Sequence, residues 1–220
     1  MKYGDKGAIF DWDGIIIDSH DHHEAAWADL IAETGHRVPD DFMKRSFGMR
    51  NEQIFPEFFE GVEEGDHALI RDLADQKETH YRNRLRRDGI DPLPGVREIL
   101  DTLAAHEVPC AVGTSTPLEN VNLVMELTGL RGCFAAISSA EDVRFGKPDP
   151  EVFLVAAGRI KRDPAQCVVF EDAHVGLEAG RRAGMRTIGV ATTHPIDSLE
   201  ADLAVTDLAG LTLADLFPID

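Results

Sequence analysis

An α/β fold, with a doubly wound Rossmann-like parallel sheet as its core and an inserted α-helical cap, is predicted by three features of this sequence. Short apolar runs recur between helix-sized stretches, the alternation is interrupted once by a purely helical segment, and acidic or hydroxyl residues follow directly on several of the runs. The runs are Gly7–Phe10, Pro109–Gly113, Ala135–Ile137, Cys167–Phe170 and Arg186–Val190, with Leu203–Val205 as a last edge strand. Segments this short and apolar on both faces suit strands of a parallel sheet covered by helices. In such a sheet, ligands gather at the carboxyl ends of the strands, near the point where the strand order reverses.

Between His20 and about Gly89 no strand pattern occurs and helical periodicity takes over. Ala25, Ala26, Leu30 and Ile31 form one apolar stripe; Leu69, Ile70, Leu73 and Ala74 form another. Gly35, Pro39, Gly48, Gly61 and Gly65 punctuate the segment. The pattern predicts a helical cap over 19–91, inserted into a catalytic core made of 1–18 and 92–220. An insert that leaves the core just after the first strand is expected to lie over the strand ends as a lid that selects substrate.

Composition narrows the function. With 220 residues, 43% of them hydrophobic, the chain is long enough for one full core and an inserted module. Its 22 basic and 40 acidic side chains leave a net charge of −18. Such a surface repels nucleic-acid backbones and anionic lipids, so neither is expected as a partner. A phosphorylated ligand then requires local positive charge or a metal ion at its site. Cys110, Cys133 and Cys167 have no metal-ligand spacing and read as small core fillers. Their odd number, without a secretory signature at the start, predicts a reducing cytoplasm. No apolar stretch approaches the roughly 20 residues that cross a bilayer.

The first apolar run leads straight into Asp11-Trp12-Asp13-Gly14, so two carboxylates leave the end of a buried strand on the same side. Acids so close repel unless a cation binds or one is protonated, and hard oxygen ligands suit magnesium. The same pair would also serve an ordinary turn or helix cap. The second run ends in Gly113-Thr114-Ser115-Thr116-Pro117, where hydroxyls and free amides ahead of a helix beginning near Pro117 can cradle a phosphate or simply cap the helix. The fourth run ends in Glu171-Asp172, two more hard ligands. Before it, Gly146-Lys147-Pro148 places a lysine in a loop whose Asp149 and Pro150 read as the N-cap and first position of the next helix. Each feature alone has an ordinary explanation. Their convergence on one edge of one sheet is the informative observation.

In order, spacing and strand context, Phe10-Asp11-Trp12-Asp13-Gly14, Thr114, Gly146-Lys147-Pro148 and Glu171-Asp172 resemble the motifs of the haloacid dehalogenase superfamily across essentially the whole chain. The position of the insert resembles the subfamily with a small helical cap, which includes β-phosphoglucomutases and many sugar-phosphate and phosphoglycolate phosphatases. The resemblance implies that Asp11 attacks phosphorus and becomes an aspartyl phosphate. It implies that Asp13 protonates the leaving alcohol and then deprotonates the attacking water or hydroxyl. Thr114 and Ser115 would hold phosphoryl oxygens, with Lys147 neutralising Asp11 and the phosphate. Mg2+ would be held by the Asp11 carboxylate, the Asp13 main-chain carbonyl and Asp172, with Glu171 as a direct or water-mediated ligand. Dehalogenases and phosphonatases lack an acid of the Asp13 type, which leaves phosphate-ester chemistry.

Three histidines, His20, His22 and His23, crowd the start of the insert. They lack the i, i+4 same-face pair of a zinc helix and read as a polar helix start. His23 with Trp27 is similar to the His…Ala-Trp pattern of the β-phosphoglucomutases, and Lys77 with Tyr81 is similar to their cap lysine and tyrosine. Gly48-Met49-Arg50 falls near the place of their phosphate-binding arginine, with a loop one residue shorter. The resemblance thus implies a small phosphorylated metabolite, such as a sugar phosphate, met by His23, Arg50 and Lys77. Hydrolysis is expected rather than the mutase reaction, because family members of this length are more often phosphatases. A phospho-aspartate signalling switch is the remaining class; it would place its acceptor on a later strand and carry no helical insert.

Overall fold

The structure, a computed structural model, describes residues 3–46 and 49–218. In chain order, β1 (Gly7–Phe10) is followed by four helices, α1 (His20–Thr34), α2 (Phe42–Ser46), α3 (Asn51–Phe58) and α4 (His67–Asp88). Then come α5 (Val96–Ala105), β2 (Cys110–Gly113), α6 (Leu118–Thr128), β3 (Ala136–Ser138), α7 (Glu151–Arg159), β4 (Cys167–Glu171), α8 (His174–Arg182), β5 (Arg186–Val190), β6 (Leu203–Val205) and α9 (Leu213–Leu216). Two compact units result, one of 1–18 with 91–220 and one of 19–90.

In the first unit all strand pairs are parallel and the sheet order is β3-β2-β1-β4-β5-β6. The chain winds outward from β1 through β2 to β3, then returns to the other side of β1 for β4. The order therefore reverses between β1 and β4, where a doubly wound sheet opens its ligand crevice. Residues of β1, β2 and β4 are buried without exception, which explains their unbroken apolar character. Phe10 pairs in register with Phe170 and stacks on it at 4.4 Å, so Asp11 and Glu171 follow side by side at the carboxyl edge.

The strand readings shift at their ends for physical reasons. Pro109 stays outside β2, since it has no N–H to give the ladder, although its carbonyl accepts from Ala8 N at 3.1 Å. The third strand runs one residue further along than expected, ending at Ser138. Asp91 groups with the first unit, next to Pro92, which bridges Ile17. Cys110 and Cys167 are buried in strands, whereas Cys133 is exposed and fills no core.

In the second unit the regular elements among the described residues are all helices. Trp27 anchors its core, with Phe42, Phe55 and Phe59 rings at 5.3, 5.5 and 5.7 Å. Truncating such a ring to alanine costs about 3–5 kcal/mol. Along α4 the buried stripe is Ile70, Leu73, Lys77, Tyr81 and Leu85. Leu69, expected on that stripe, is 39% exposed: at about 3.6 residues per turn the run of fours from Leu73 to Leu85 drifts round the helix, so Ile70, three before Leu73, falls at the middle of the buried face and Leu69 lies about 100° away from it.

Candidate active site

At the end of β1 the chain stays extended through Asp11, whose amide donates to Phe170 O at 3.0 Å. It then turns at Gly14, where φ is +80° and Gly14 N donates to Ile17 O at 2.8 Å. A Cβ on Gly14 would lie 2.0 Å from Asp172 Oδ2. Glycine is thus required there both for the turn and for the approach of the Asp172 carboxylate to the Asp11–Asp13 turn.

Lys147 joins the β1 and β4 ends. Its ammonium lies 2.6 Å from Asp11 Oδ1 and 2.6 Å from Glu171 Oε1. The other Glu171 oxygen accepts from the amides of Asp172 and Ala173 at 2.9 and 2.8 Å. Room for this carboxylate depends on Gly176, whose Cβ would lie 1.7 Å from Glu171 Oε1. Asp172 Oδ2 accepts from the Thr193 hydroxyl at 2.6 Å. The loop that carries Lys147 is fastened to α7: Asp149 Oδ1 caps Glu151 N at 3.0 Å, and the Glu151 carboxylate accepts from the amides of Arg144 and Phe145.

Burial pushes the Asp11 carboxyl up to about 7, against the pull of Lys147. Burial also holds Asp172 well above the ordinary carboxylate range, with the charges of Glu171 and Asp11 adding to it. Lys147 would be depressed by burial, but Asp11 and Glu171 outweigh this and raise it. Asp11, Glu171 and Asp172 each offer an oxygen within 4.8 Å of the others. Such a cluster, negative in excess of its lysine and made of hard oxygen donors, fits a divalent cation.

Thr114 is buried at the end of β2, its amide donating to Ser138 O at 2.9 Å and its Oγ1 accepting from Thr116 N at 3.0 Å. The turn offers fewer open amides than expected. Besides those two, Leu118 N donates to the Glu141 carboxylate at 3.2 Å. The half-buried Ser115 places its amide beside them, and it donates to none of the described residues. Thr116, expected only as one of the hydroxyls ahead of α6, takes another part in the site: its hydroxyl donates to Asp13 Oδ2. A threonine two positions past Thr114 looks like one more cap, and no local signal links it to Asp13.

In the helical unit, His23 on α1 and Lys77 on α4 come together, Lys77 Nζ lying 2.9 Å from His23 Nδ1. Glu78 was not foreseen. Its Oε1 accepts from Lys77 Nζ at 2.8 Å and from Asn51 Nδ2 at 2.8 Å. Burial would raise Glu78, yet Lys77, together with His23 and the Asn51 hydrogen bond, outweighs it and brings the carboxyl to about 2. Arg50 caps the start of α3 and pairs with Glu52 at 3.5 Å; Gly48, before it in the loop, lies outside the described residues. His22 Nε2 lies 3.1 Å from Gly89 O, and the three histidines form no metal group among the described residues.

A family model for haloacid dehalogenase-like hydrolases matches residues 8–190. The chain is 34% identical over 220 residues to the chloroplastic 5-amino-6-(5-phospho-D-ribitylamino)uracil phosphatase of Arabidopsis thaliana, covering 98% of this chain and 58% of that protein. It is 33% identical over 217 residues to validoxylamine A 7'-phosphate phosphatase of Streptomyces hygroscopicus subsp. limoneus, covering 97% and 99%. The chain thus spans little more than half of the first relative and nearly all of the second. A β-phosphoglucomutase from Clostridium difficile shares the fold, with a TM-score of 0.81 at 24% identity over 94% of this chain and 93% of that one. The match from β1 to β5, carried by a sheet that brings Asp11, Lys147 and Glu171 to one edge, makes the chain a member of the haloacid dehalogenase-like hydrolase family.

Proposed function

We propose that this protein is a magnesium-dependent phosphatase that hydrolyses a small sugar or polyol phosphate through an aspartyl-phosphate intermediate. The observation that carries the reading is the Lys147 ammonium 2.6 Å from Asp11 Oδ1, with Asp13 two residues on and fastened to Thr116. One carboxylate is thus poised as nucleophile beside a fixed cation, and a second is held apart from it as acid and base.

In this reading Asp11 attacks phosphorus as the bond to the substrate oxygen breaks, and Asp13 gives that oxygen its proton. Asp13 then takes a proton from water, which attacks the phosphorus of the aspartyl phosphate; inorganic phosphate leaves and Asp11 is regenerated. Thr114 and the Ser115 amide hold phosphoryl oxygens, and Lys147 offsets the charge that builds there. Asp11, Asp172 and the Asp13 carbonyl would hold magnesium, which when bound supplies positive charge between the carboxylates and the phosphate. Glu171 has both oxygens engaged already, so we assign it to anchoring Lys147, with any part in holding magnesium through water. The acidic surface argues against nucleic acid as a partner. No helix among the described residues is long and apolar enough to cross a membrane. The odd set of free cysteines, Cys110, Cys133 and Cys167, is what supports a cytoplasmic setting.

A mutase resembling β-phosphoglucomutase is the second reading, favoured by the His23–Lys77 contact at 2.9 Å. There Asp13 would activate a sugar hydroxyl in place of water. A panel of phosphorylated sugars and polyols, followed for inorganic phosphate and for isomeric products under magnesium, separates the two. Phosphate appearing in step with substrate loss is expected; isomerisation of β-glucose 1-phosphate to glucose 6-phosphate with little phosphate released would overturn hydrolysis.

A further inference from the structure

Lys77 lies on the buried stripe of α4 and its side chain is only 4% exposed. A buried ammonium requires a counter-charge and acceptors. It finds Glu78 Oε1 at 2.8 Å, His23 Nδ1 at 2.9 Å, and the faces of Trp27 and Tyr81 at 5.1 and 5.4 Å. Adjacent residues on a helix do not ordinarily face each other. Glu78 nevertheless reaches back to its neighbour, is 6% exposed, and is fastened to another helix by Asn51, the first residue of α3. This is a built contact, unlike the exposed Arg87–Asp88 pair at the end of the same helix.

The contact also fixes the state of His23. An ammonium carries donors only, so His23 Nδ1 must accept, which leaves the ring proton on Nε2. Stacking on Tyr81, with centroids 4.1 Å apart and planes within 8°, holds the plane of the ring.

We propose that Glu78, anchored by Asn51, is a positioning residue: by holding the Lys77 ammonium against His23 Nδ1 it keeps His23 as the Nε2–H tautomer, a neutral donor suited to a hydroxyl of a sugar or polyol phosphate. The proposal rests on the reading of His23 and Lys77 as substrate-contacting residues. It adds α3, through Asn51, to the elements that set substrate choice.

Side-chain 15N NMR of the full chain at neutral pH reads the tautomer directly, with His23 assigned by the signals lost in His23→Gln. The wild type is expected to show a pyridine-like Nδ1 and a pyrrole-like Nε2. Glu78→Gln, which removes the charge at nearly constant volume, is expected to give mixed tautomers. It is also expected to lower the ratio of kcat/KM for ribitol 5-phosphate to that for 4-nitrophenyl phosphate about tenfold. Asn51→Ala leaves the ion pair in place and is expected to move both readings in the same direction by less, which guards against loss of fold in Glu78→Gln. A wild-type His23 carrying its proton on Nδ1 or on both nitrogens would overturn the proposal. So would a folded Glu78→Gln with unchanged tautomer and ratio. If Lys77→Met and His23→Gln lower the ratio while Glu78→Gln does not, the cap reading stands and Glu78 is discarded. If neither of those two lowers it, both fall.

Discussion

The Lys147 ammonium and the Asp11 carboxylate are 2.6 Å apart, both nearly enclosed, with side-chain exposures of 6% and 12%. Removing one member of such a pair strands the other charge, at about 3–5 kcal/mol. Lys147→Met is therefore expected to lose stability at neutral pH in the absence of metal and to regain part of it when magnesium is added. Activity is expected to fall on the order of 10²–10³-fold, in kcat more than in KM. Urea denaturation with and without magnesium checks the first point; a variant as stable as wild type in chelator would show that the pair is not coupled to folding.

When the leaving group needs little protonation, Asp13 and Thr116 are expected to matter mainly after the first bond breaks. With 4-nitrophenyl phosphate, whose leaving group needs little protonation, Asp13→Asn should still form the phosphoenzyme but discharge it about 10²–10⁴-fold more slowly. Thr116→Val deletes the hydroxyl that holds Asp13 Oδ2 and should slow the same step by a smaller factor. Stopped-flow bursts resolve the two half-reactions, and equal loss in both would remove Asp13 from its acid–base role.

Thr116 also shows where sequence reading stops. Strands β1, β4 and β5 could be read from their apolar runs because both faces of each are buried. Asp11, Thr114, Lys147 and Glu171 could be found because each follows a strand or precedes a helix in a recognisable motif. The bond from Thr116 to Asp13 spans 103 residues, and nothing local marks it. Glu78 was hidden for another reason: in a helix rich in charge a glutamate reads as solvated, and only the meeting of α1, α3 and α4 buries it. Leu69 was misplaced because four consecutive turns, not two, decide which face of α4 is inside.

Chelation is expected to abolish turnover and magnesium to restore it. Asp172→Ala should raise the magnesium concentration needed for half-maximal activity more than it changes KM at saturating metal. Glu171→Gln should instead lower kcat at saturating magnesium, because its oxygens hold Lys147 and the turn into α8. Magnesium titration by calorimetry distinguishes the two; a larger loss of affinity in Glu171→Gln would put Glu171 next to the metal.

The carboxylates give metal-free stability a definite slope with pH. Asp11 is pushed up to about 7 from an ordinary 3.8, so between those values the folded protein keeps a proton that the unfolded chain has released. Its contribution therefore falls as pH rises through this window, by on the order of 4 kcal/mol. Asp172 has the same sign. Glu78, held at about 2 instead of 4.5, has the opposite sign: its contribution is present above pH 4.5 and lost as pH falls toward 2. The stability of wild type minus that of Asp11→Asn, measured in chelator by urea denaturation, is expected to decline from pH 4 to 7. A difference that rises across this range would contradict the burial of an ionisable Asp11.

The central claim is that the phosphoryl group passes through Asp11. Asp13→Asn protein mixed with 4-nitrophenyl phosphate and magnesium, quenched in acid and digested, allows the phosphorylated peptide to be located by mass spectrometry. Phosphate is expected on the peptide containing Asp11, and none on that peptide in Asp11→Asn. Phosphate on another residue, or substrate consumed by Asp11→Asn at close to the wild-type rate, would contradict it.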